Sequence, residues 1–269
     1  MVRKLLLWGV MGIPGIWWVD LQLDGVKRGS LSQQPPSRVP HPRSVIAASF
    51  TSPIDALYLA AVFDPIFTIS YPGTRQVRRV GLLRAAAAAL SPAQLLPNPP
   101  PPERHELTDL RALLARYPDR VIAVFPECGT TNGKGVLPFS PSLLAVPGGV
   151  RIFPVSLRYA PADITTPVPG AWATFLWKLL GRPTHSLRVR IAEGVYNTGE
   201  AASEAARAEA SGVDARSAGA AGGSSVGAEE QRVLDRVAEA LARLGRSKRV
   251  GLTLRDKAAF VDAWKKAKK

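Results

Sequence analysis

Two short stretches of the chain hold side chains that could do chemistry. One is Phe-Thr-Ser-Pro-Ile-Asp at 50–55, and the other is Glu-Cys-Gly-Thr-Thr-Asn-Gly-Lys at 127–134. Each closely follows a short apolar run, at 44–49 and 121–125, that reads as a buried strand. In open α/β sheets ligands sit just past the carboxyl ends of strands, where loops can place polar groups and backbone N–H donors around them. Asp55 and Glu127 are the carboxylates in those positions, and a buried carboxylate with a raised pKa can accept a proton from a hydroxyl. Cys128 is a third reactive side chain, but a thiol nucleophile needs a base beside it. No histidine in the sequence is identifiable as that partner, so a small buried cysteine is the better reading.

The elements that must position these loops follow from periodicity. Strands are expected at 44–49, 66–70, 121–125, 151–159 and 186–192, the last alternating so that Arg188 and Arg190 face outward. Helices are expected from Asp55 to about 62, over 106–117, at 174–180, over 229–244 and over about 255–268. A basic amphipathic helix carrying Arg75, Arg78, Arg79 and Arg84 is expected over roughly 76–90. Thr253 with Asp256 three residues on reads as a capping box for the last helix. Strands alternating with helices predict an α/β domain over 30–197, a mainly parallel or mixed sheet flanked by helices. Residues 97–102 are a proline-rich loop. Residues 198–228 read as a flexible Ala/Gly/Ser insertion, and 229–269 as C-terminal helices with a basic end.

Residues 1–29 carry a hydrophobic stretch that the sequence predicts to associate with a membrane. Its apolar part, 5–19, is shorter than the ~20 residues a spanning helix needs. Gly9, Gly12, Pro14 and Gly15 weaken it further, and Trp8, Trp17 and Trp18 suit the headgroup level. An embedded or re-entrant anchor fits better than a secretory signal, because no small-residue cleavage site follows. The same stretch also fits the end of a longer hydrophobic segment that begins upstream.

A formal charge of +14 over 269 residues demands an anionic partner. Aromatic-rich RNA-binding signatures and zinc-ligand spacings are missing from the sequence, so composition does not select nucleic acid over lipid, and nucleic acid rests on charge alone. A single cysteine rules out an internal disulfide and suits a reducing, cytosol-facing setting.

The two loop motifs together resemble the glycerolipid (lysophospholipid) acyltransferase superfamily, whose members carry Asn-His-x-Ser-x-x-Asp followed later by Phe-Pro-Glu-Gly-Thr. Phe-Pro-Val-Ser-Leu-Arg-Tyr at 153–159 is similar to a later strand of that family. The stretches Gly-Ile-Trp-Trp-Val-Asp near the start and Asp-Lys-Ala-Ala-Phe-Val-Asp-Ala-Trp near the end look most like fungal lysophosphatidic acid acyltransferases of the endoplasmic reticulum and lipid droplets. The resemblance implies acyl transfer from acyl-CoA, as co-substrate, to the hydroxyl of a lysophospholipid, with lysophosphatidic acid the first choice. It implies a cytosol-facing site on those membranes, contact with anionic lipids, and no metal or further cofactor. By the same resemblance Asp55 is the catalytic carboxylate, and Ser52, Glu127, Gly129, Thr130, Thr131, Asn132 and Lys134 hold the phosphate and glycerol. Arg75 and Arg78 are candidates for gripping the phosphate or the CoA.

The chain departs from that family at the residue that should do the proton transfer. Phe50 stands where the family has its histidine, and phenylalanine accepts no proton. His41 precedes the 44–49 strand, which at ~3.3 Å per residue puts it at the far end of the sheet. His105 and His185 have nothing local to place them beside Asp55, and all three read as surface residues. Two readings stay open: Asp55 itself acts as a weak base, or the chain is a catalytically inactive relative that serves as a lipid-binding or trafficking adaptor. Cys128 and Gly129 also stand where the family has Gly and Thr.

Overall fold

The computed structural model describes residues 2–27, 30, 33–93, 95–97, 103–162, 167–199 and 226–267. A nine-stranded mixed sheet forms its centre. The strands are β1 (Trp18–Leu23), β2 (Val45–Ala48), β3 (Ile66–Ser70), β4 (Val77–Val80), β5 (Leu107–Thr108), β6 (Ile122–Val124), β8 (Arg151–Ala160), β9 (Ser186–Ile191) and β10 (Val195–Tyr196). The order across the sheet is β1-β9-β8-β2-β6-β3-β4-β5, and β10 pairs with β8. Pairings β8/β2, β2/β6, β6/β3 and β1/β9 are parallel; β8/β9, β3/β4 and β4/β5 are antiparallel.

Two apolar clusters cover the two faces. Helices α1 (Val2–Gly12), α2 (Pro53–Val62), α3 (Leu82–Ala88) and α5 (Trp172–Leu180) bury Met11, Leu59, Ala85 and Phe175 against Ile46, Phe153, Val155 and Val189. On the other face α4 (Leu110–Arg116) and α6 (Ala228–Gly245) bury Leu110, Leu113, Val233 and Val237 against Val45, Ile122 and Ile152. Strand β2 is buried throughout, as a central parallel strand must be, and its run of small and apolar residues contains no polar position. A separate parallel pair, β7 (Gly135–Val136) with β11 (Lys248–Arg249), ties the chain beyond Glu127 to the start of α7 (Leu254–Ala267).

The expected basic helix over 76–90 is corrected. Val77–Val80 is a strand paired with β3, and the helix begins only at Leu82, after Gly81 at its N-cap. Two β-branched valines and the Tyr71–Thr74 turn favour a hairpin, whereas the alanine run at 85–89 carries helix propensity only locally. The helix read over 106–117 is shorter too, because Leu107–Thr108 pairs at the sheet edge before Asp109 opens α4. The hydrophobic stretch at 1–29 divides. Residues 2–12 are helical, while Trp18–Leu23 is an edge strand of the main sheet. No helix among the described residues is long and apolar enough to cross a membrane. Most of the proline-rich loop and of the Ala/Gly/Ser insertion lies outside the described residues.

Candidate active site

Asp55 is the third residue of α2 and closes its N-terminus. Ser52 accepts from the Ile54 N–H at 3.3 Å, and Asp55 Oδ2 accepts from the Ser52 N–H at 2.9 Å, a reciprocal capping box. The same oxygen takes the Thr51 N–H at 2.7 Å and the Thr51 hydroxyl at 3.2 Å, and Oδ1 takes the Tyr159 hydroxyl in a short hydrogen bond. Asp55 is wholly buried, and burial lifts its pKa to about 6 while these donors pull it back. Its carboxylate therefore braces the loop. Both oxygens are spent on donors of the chain, so it is not open to a substrate hydroxyl. Ser52 is likewise buried and spent on the cap.

Glu127 sits beside it. Glu127 Oε2 accepts from the Leu137 N–H at 3.0 Å, and its carboxyl also takes the Phe50 N–H. Asp55 and Glu127 thus bind consecutive backbone N–H groups, those of Thr51 and Phe50, so the two motifs share one site. The Thr131 N–H donates to the Phe50 carbonyl at 2.8 Å and fastens the loops together. Burial drives Glu127 up to about 8, opposed by its hydrogen bonds and by Lys257. Phe50, in place of a histidine, stacks on Phe125 with ring centroids 4.3 Å apart and is part of the core.

Cys128 explains one departure from the motif. Its backbone lies in the left-handed region at φ 55, where glycine is at ease and a side chain is strained. Burial pushes its thiol to about 12, so it is no nucleophile at neutral pH. Cys128→Gly is expected to leave the melting temperature within a few degrees or to raise it. Cys128→Val, β-branched at the same φ, should cost about 2 kcal/mol. Equal thermal unfolding of the two variants would refute a conformational requirement at this position.

The loop after Glu127 forms one wall of a cavity of about 580 Å³, and α7 forms the other. Thr130, Thr131, Asn132 and Lys134 line it together with Leu137, Val250, Leu252, Phe260 and Val261. Gly129 lies directly under α7, since a Cβ there would come within 3.2 Å of Leu254 and 3.3 Å of Lys257 Nζ. Lys257 was missed in the sequence reading. It reaches from α7 into the cavity and donates to Thr130 Oγ1 at 2.9 Å. Burial lowers its pKa to about 8, with Glu127 opposing. The signal lay in the Asp-Lys-Ala-Ala-Phe stretch, but nothing in its spacing ties it to a loop over a hundred residues upstream.

The arginines are used elsewhere. Arg75 Nη2 contacts both carboxylate oxygens of Glu230 at 2.9 and 2.8 Å, anchoring α6, and Arg78 lies buried in β4 with its Nε 3.2 Å from Glu106. Neither lines the cavity. His41 hydrogen-bonds the Ser44 hydroxyl through its backbone N–H and packs edge-on against Phe153; His105 is exposed. His185 is buried rather than at the surface, with Nε2 2.9 Å from the Leu179 carbonyl.

No family model matches the chain. It is 27% identical over 158 residues to a Schizosaccharomyces pombe protein named "Putative lysophosphatidic acid:oleoyl-CoA acyltransferase". That alignment covers 55% of this chain and 48% of the relative, so the similarity spans about half of the relative's length. Among solved structures, the 1-acyl-sn-glycerophosphate acyltransferase PlsC of Thermotoga maritima matches with 18% identity, 74% of each chain covered and a TM-score of 0.34. The resemblance to glycerolipid acyltransferases carried by the two loop motifs therefore extends, in sequence, to a fungal relative named for that activity.

Proposed function

We propose that the cavity between the 127–137 loop and α7 takes a lysophospholipid, most specifically lysophosphatidic acid, and acylates it from acyl-CoA to phosphatidic acid. The observation that carries this reading is Lys257 Nζ, held over Thr130 in a mostly apolar cavity. A base must first be placed where the substrate is and then have a pKa near the working pH, and Lys257 meets both conditions. Its neutral amine accepts the proton as the substrate oxygen attacks the thioester carbonyl. The carbon–sulfur bond breaks, and the departing CoA thiolate takes the proton back from the ammonium. The Thr131 and Asn132 side chains and Lys134 hold the phosphate, Thr130 seats Lys257, and Asp55 and Glu127 fix the loops. Supplying acyl-CoA and lysophosphatidic acid to the purified chain should yield phosphatidic acid and free CoA in equal amounts, and absence of both would sink the reading.

The stacked Phe50 and the saturated Asp55 favour a second reading: the same cavity binds the lipid without acylating it, and the chain acts as an adaptor. That reading requires lysophosphatidic acid binding with no CoA release.

The proposed setting is the cytosolic face of the endoplasmic reticulum and of lipid droplets, through the apolar surface of α1 and α5. The turns that follow these helices touch: the His185 N–H donates to the Gly15 carbonyl at 2.9 Å. Gly15 has φ +78, and a Cβ there would meet the Pro183 carbonyl oxygen at 2.1 Å, so only glycine permits the approach. Leu5, Ile13, Trp17, Trp177 and Leu180, on or just after the two helices that this contact joins, are all exposed. Exposed apolar area this concentrated marks an interaction surface. Trp17→Ser with Trp177→Ser should weaken flotation with phosphatidylcholine vesicles at least tenfold, since each buried aromatic is worth roughly 2 kcal/mol. Unchanged flotation would remove this face from the membrane contact.

A further inference from the structure

A second basic site lies on the other face of the sheet, where β1, β9 and β8 meet the end of α6. Arg158 stands directly opposite Arg188 in the antiparallel β8/β9 register, and Arg190 follows on the same face two residues on. Like charges facing each other across a strand pair destabilise a sheet. The end of α6 adds Arg246 at φ 46, whose N–H donates to the Arg243 carbonyl at 3.1 Å while its exposed side chain pairs with no acid among the described residues. Two adjoining cavities of about 270 and 290 Å³ share Arg190 and Arg246 in their walls. Asp20 and Asp24 are the acids among the described lining residues; Asp20 pairs with Arg188 at 3.0 Å and Asp24 with Arg243 at 2.5 Å.

Part of this arrangement is structural. Arg190 Nη1 donates to the Leu244 carbonyl at 2.8 Å and Arg158 donates to the Gly245 carbonyl, so both cap the C-terminus of α6. That accounts for Arg158 and Arg190, and Asp20 holds Arg188, whereas the side chain of Arg246 adds a further positive charge to the same corner. Arg190 loses some affinity for its proton, first through burial and then through Arg246 and Arg188. Forked guanidinium groups converging on one groove match phosphate oxygens, and Trp18, exposed at the rim, offers a flat apolar surface beside them.

We infer that this groove binds a phosphate-bearing ligand through Arg188, Arg190 and Arg246, with Arg158 behind them. Two sources carry that chemistry: the diphosphate and 3′-phosphate of coenzyme A, and the headgroup of an anionic phospholipid. The site stands apart from the α7 cavity and does not require the chain to turn over.

The test is direct binding by the full chain. Coenzyme A and dephospho-coenzyme A are titrated calorimetrically, and flotation is compared between phosphatidylcholine vesicles with and without phosphatidic acid. Wild type should bind at least one of these. Arg188→Gln with Arg246→Asn should weaken that binding tenfold or more while leaving the melting temperature within a few degrees, because relieved repulsion offsets loss of the exposed pair with Asp20 and Asn tolerates the left-handed backbone. Arg246→Asn alone, at an exposed position, gives the same direction of change if the double variant folds poorly. Loss in the coenzyme A titration assigns the nucleotide as the source, and loss only with phosphatidic acid vesicles assigns the lipid. Binding of every probe unchanged in both variants, or none in wild type, overturns the proposal. Neither result bears on acyl transfer at Lys257, which is assayed separately.

Discussion

Lys257→Arg is expected to cut acyl transfer sharply while lysophosphatidic acid remains bound. Arginine keeps the positive charge and reach, but its guanidinium does not deprotonate in the working range, so only the proton-accepting role is lost. General-base contributions run to roughly 10²–10⁴-fold, and the rate should fall by that factor. The pH profile gives a second readout. With its pKa lowered to about 8, the reactive neutral amine is scarce below pH 7, so the rate should climb with pH and level off above about 8. The groups facing Lys257 are Thr130, Glu127, Lys134 on the loop and Asp256 on α7. Glu127 titrates in the same range, so the limb belongs to the pair rather than to either residue. Lys257→Arg with more than half of wild-type activity would eliminate the amine as base. Activity undetectable in wild type, with lipid still bound, would instead favour the adaptor reading.

Much of the scaffold was legible because its signals are local. The strand at 66–70 and the end of the strand at 186–191 read from alternation and β-branched content, and the Thr253–Asp256 cap read from spacing, which the structure shows as a 2.7 Å hydrogen bond. The two motif loops could be placed at strand ends for the same reason. The rest depends on contacts distant in sequence. Nothing near Arg75 announces Glu230, and nothing near Asp55 announces the Tyr159 hydroxyl that donates to its Oδ1. Val77–Val80 looked helical because the alanine run behind it outweighed two valines, until pairing with β3 decided the matter. Lys257 is the plainest case. A lysine on a basic terminal helix reads as solvated, and only the fold shows that α7 closes over Gly129 and points this one inward.

The second large effect concerns Glu127 and stability. Its folded pKa of about 8 stands far above its ordinary 4.5, so the folded chain holds the proton more tightly than the unfolded chain does. Stability from this group is greatest below about pH 4.5 and is lost progressively as pH rises toward 8. Asp55, raised from 3.8 to about 6, acts in the same direction over a lower window. Lys257 is the opposite type, lowered from 10.5 to about 8, so its penalty is present below 8 and is relieved between there and 10.5. The melting temperature should therefore decline from pH 5 to a minimum near 8 and then recover. Glu127→Gln keeps the shape and the acceptor for the Leu137 N–H but removes the ionisation. At ~1.4 kcal/mol per pKa unit, it should stabilise the chain at pH 8 by about 3–5 kcal/mol, less whatever the Lys257 pairing returns. At this size that corresponds to roughly 10 °C, and the slope between pH 6 and 8 should flatten in the variant. Thermal unfolding across pH 5–9 checks both. A wild-type curve flat over that interval would mean that Glu127 ionises without cost, and its burial beneath the loop would then have to be relieved by solvent or by a closer cation. Lys257 is the cation placed to do so among the described residues, which makes Glu127→Gln, combined with Lys257→Met, the decisive pair. If the two residues share one site, their effects on the pH 6–8 slope must fail to add.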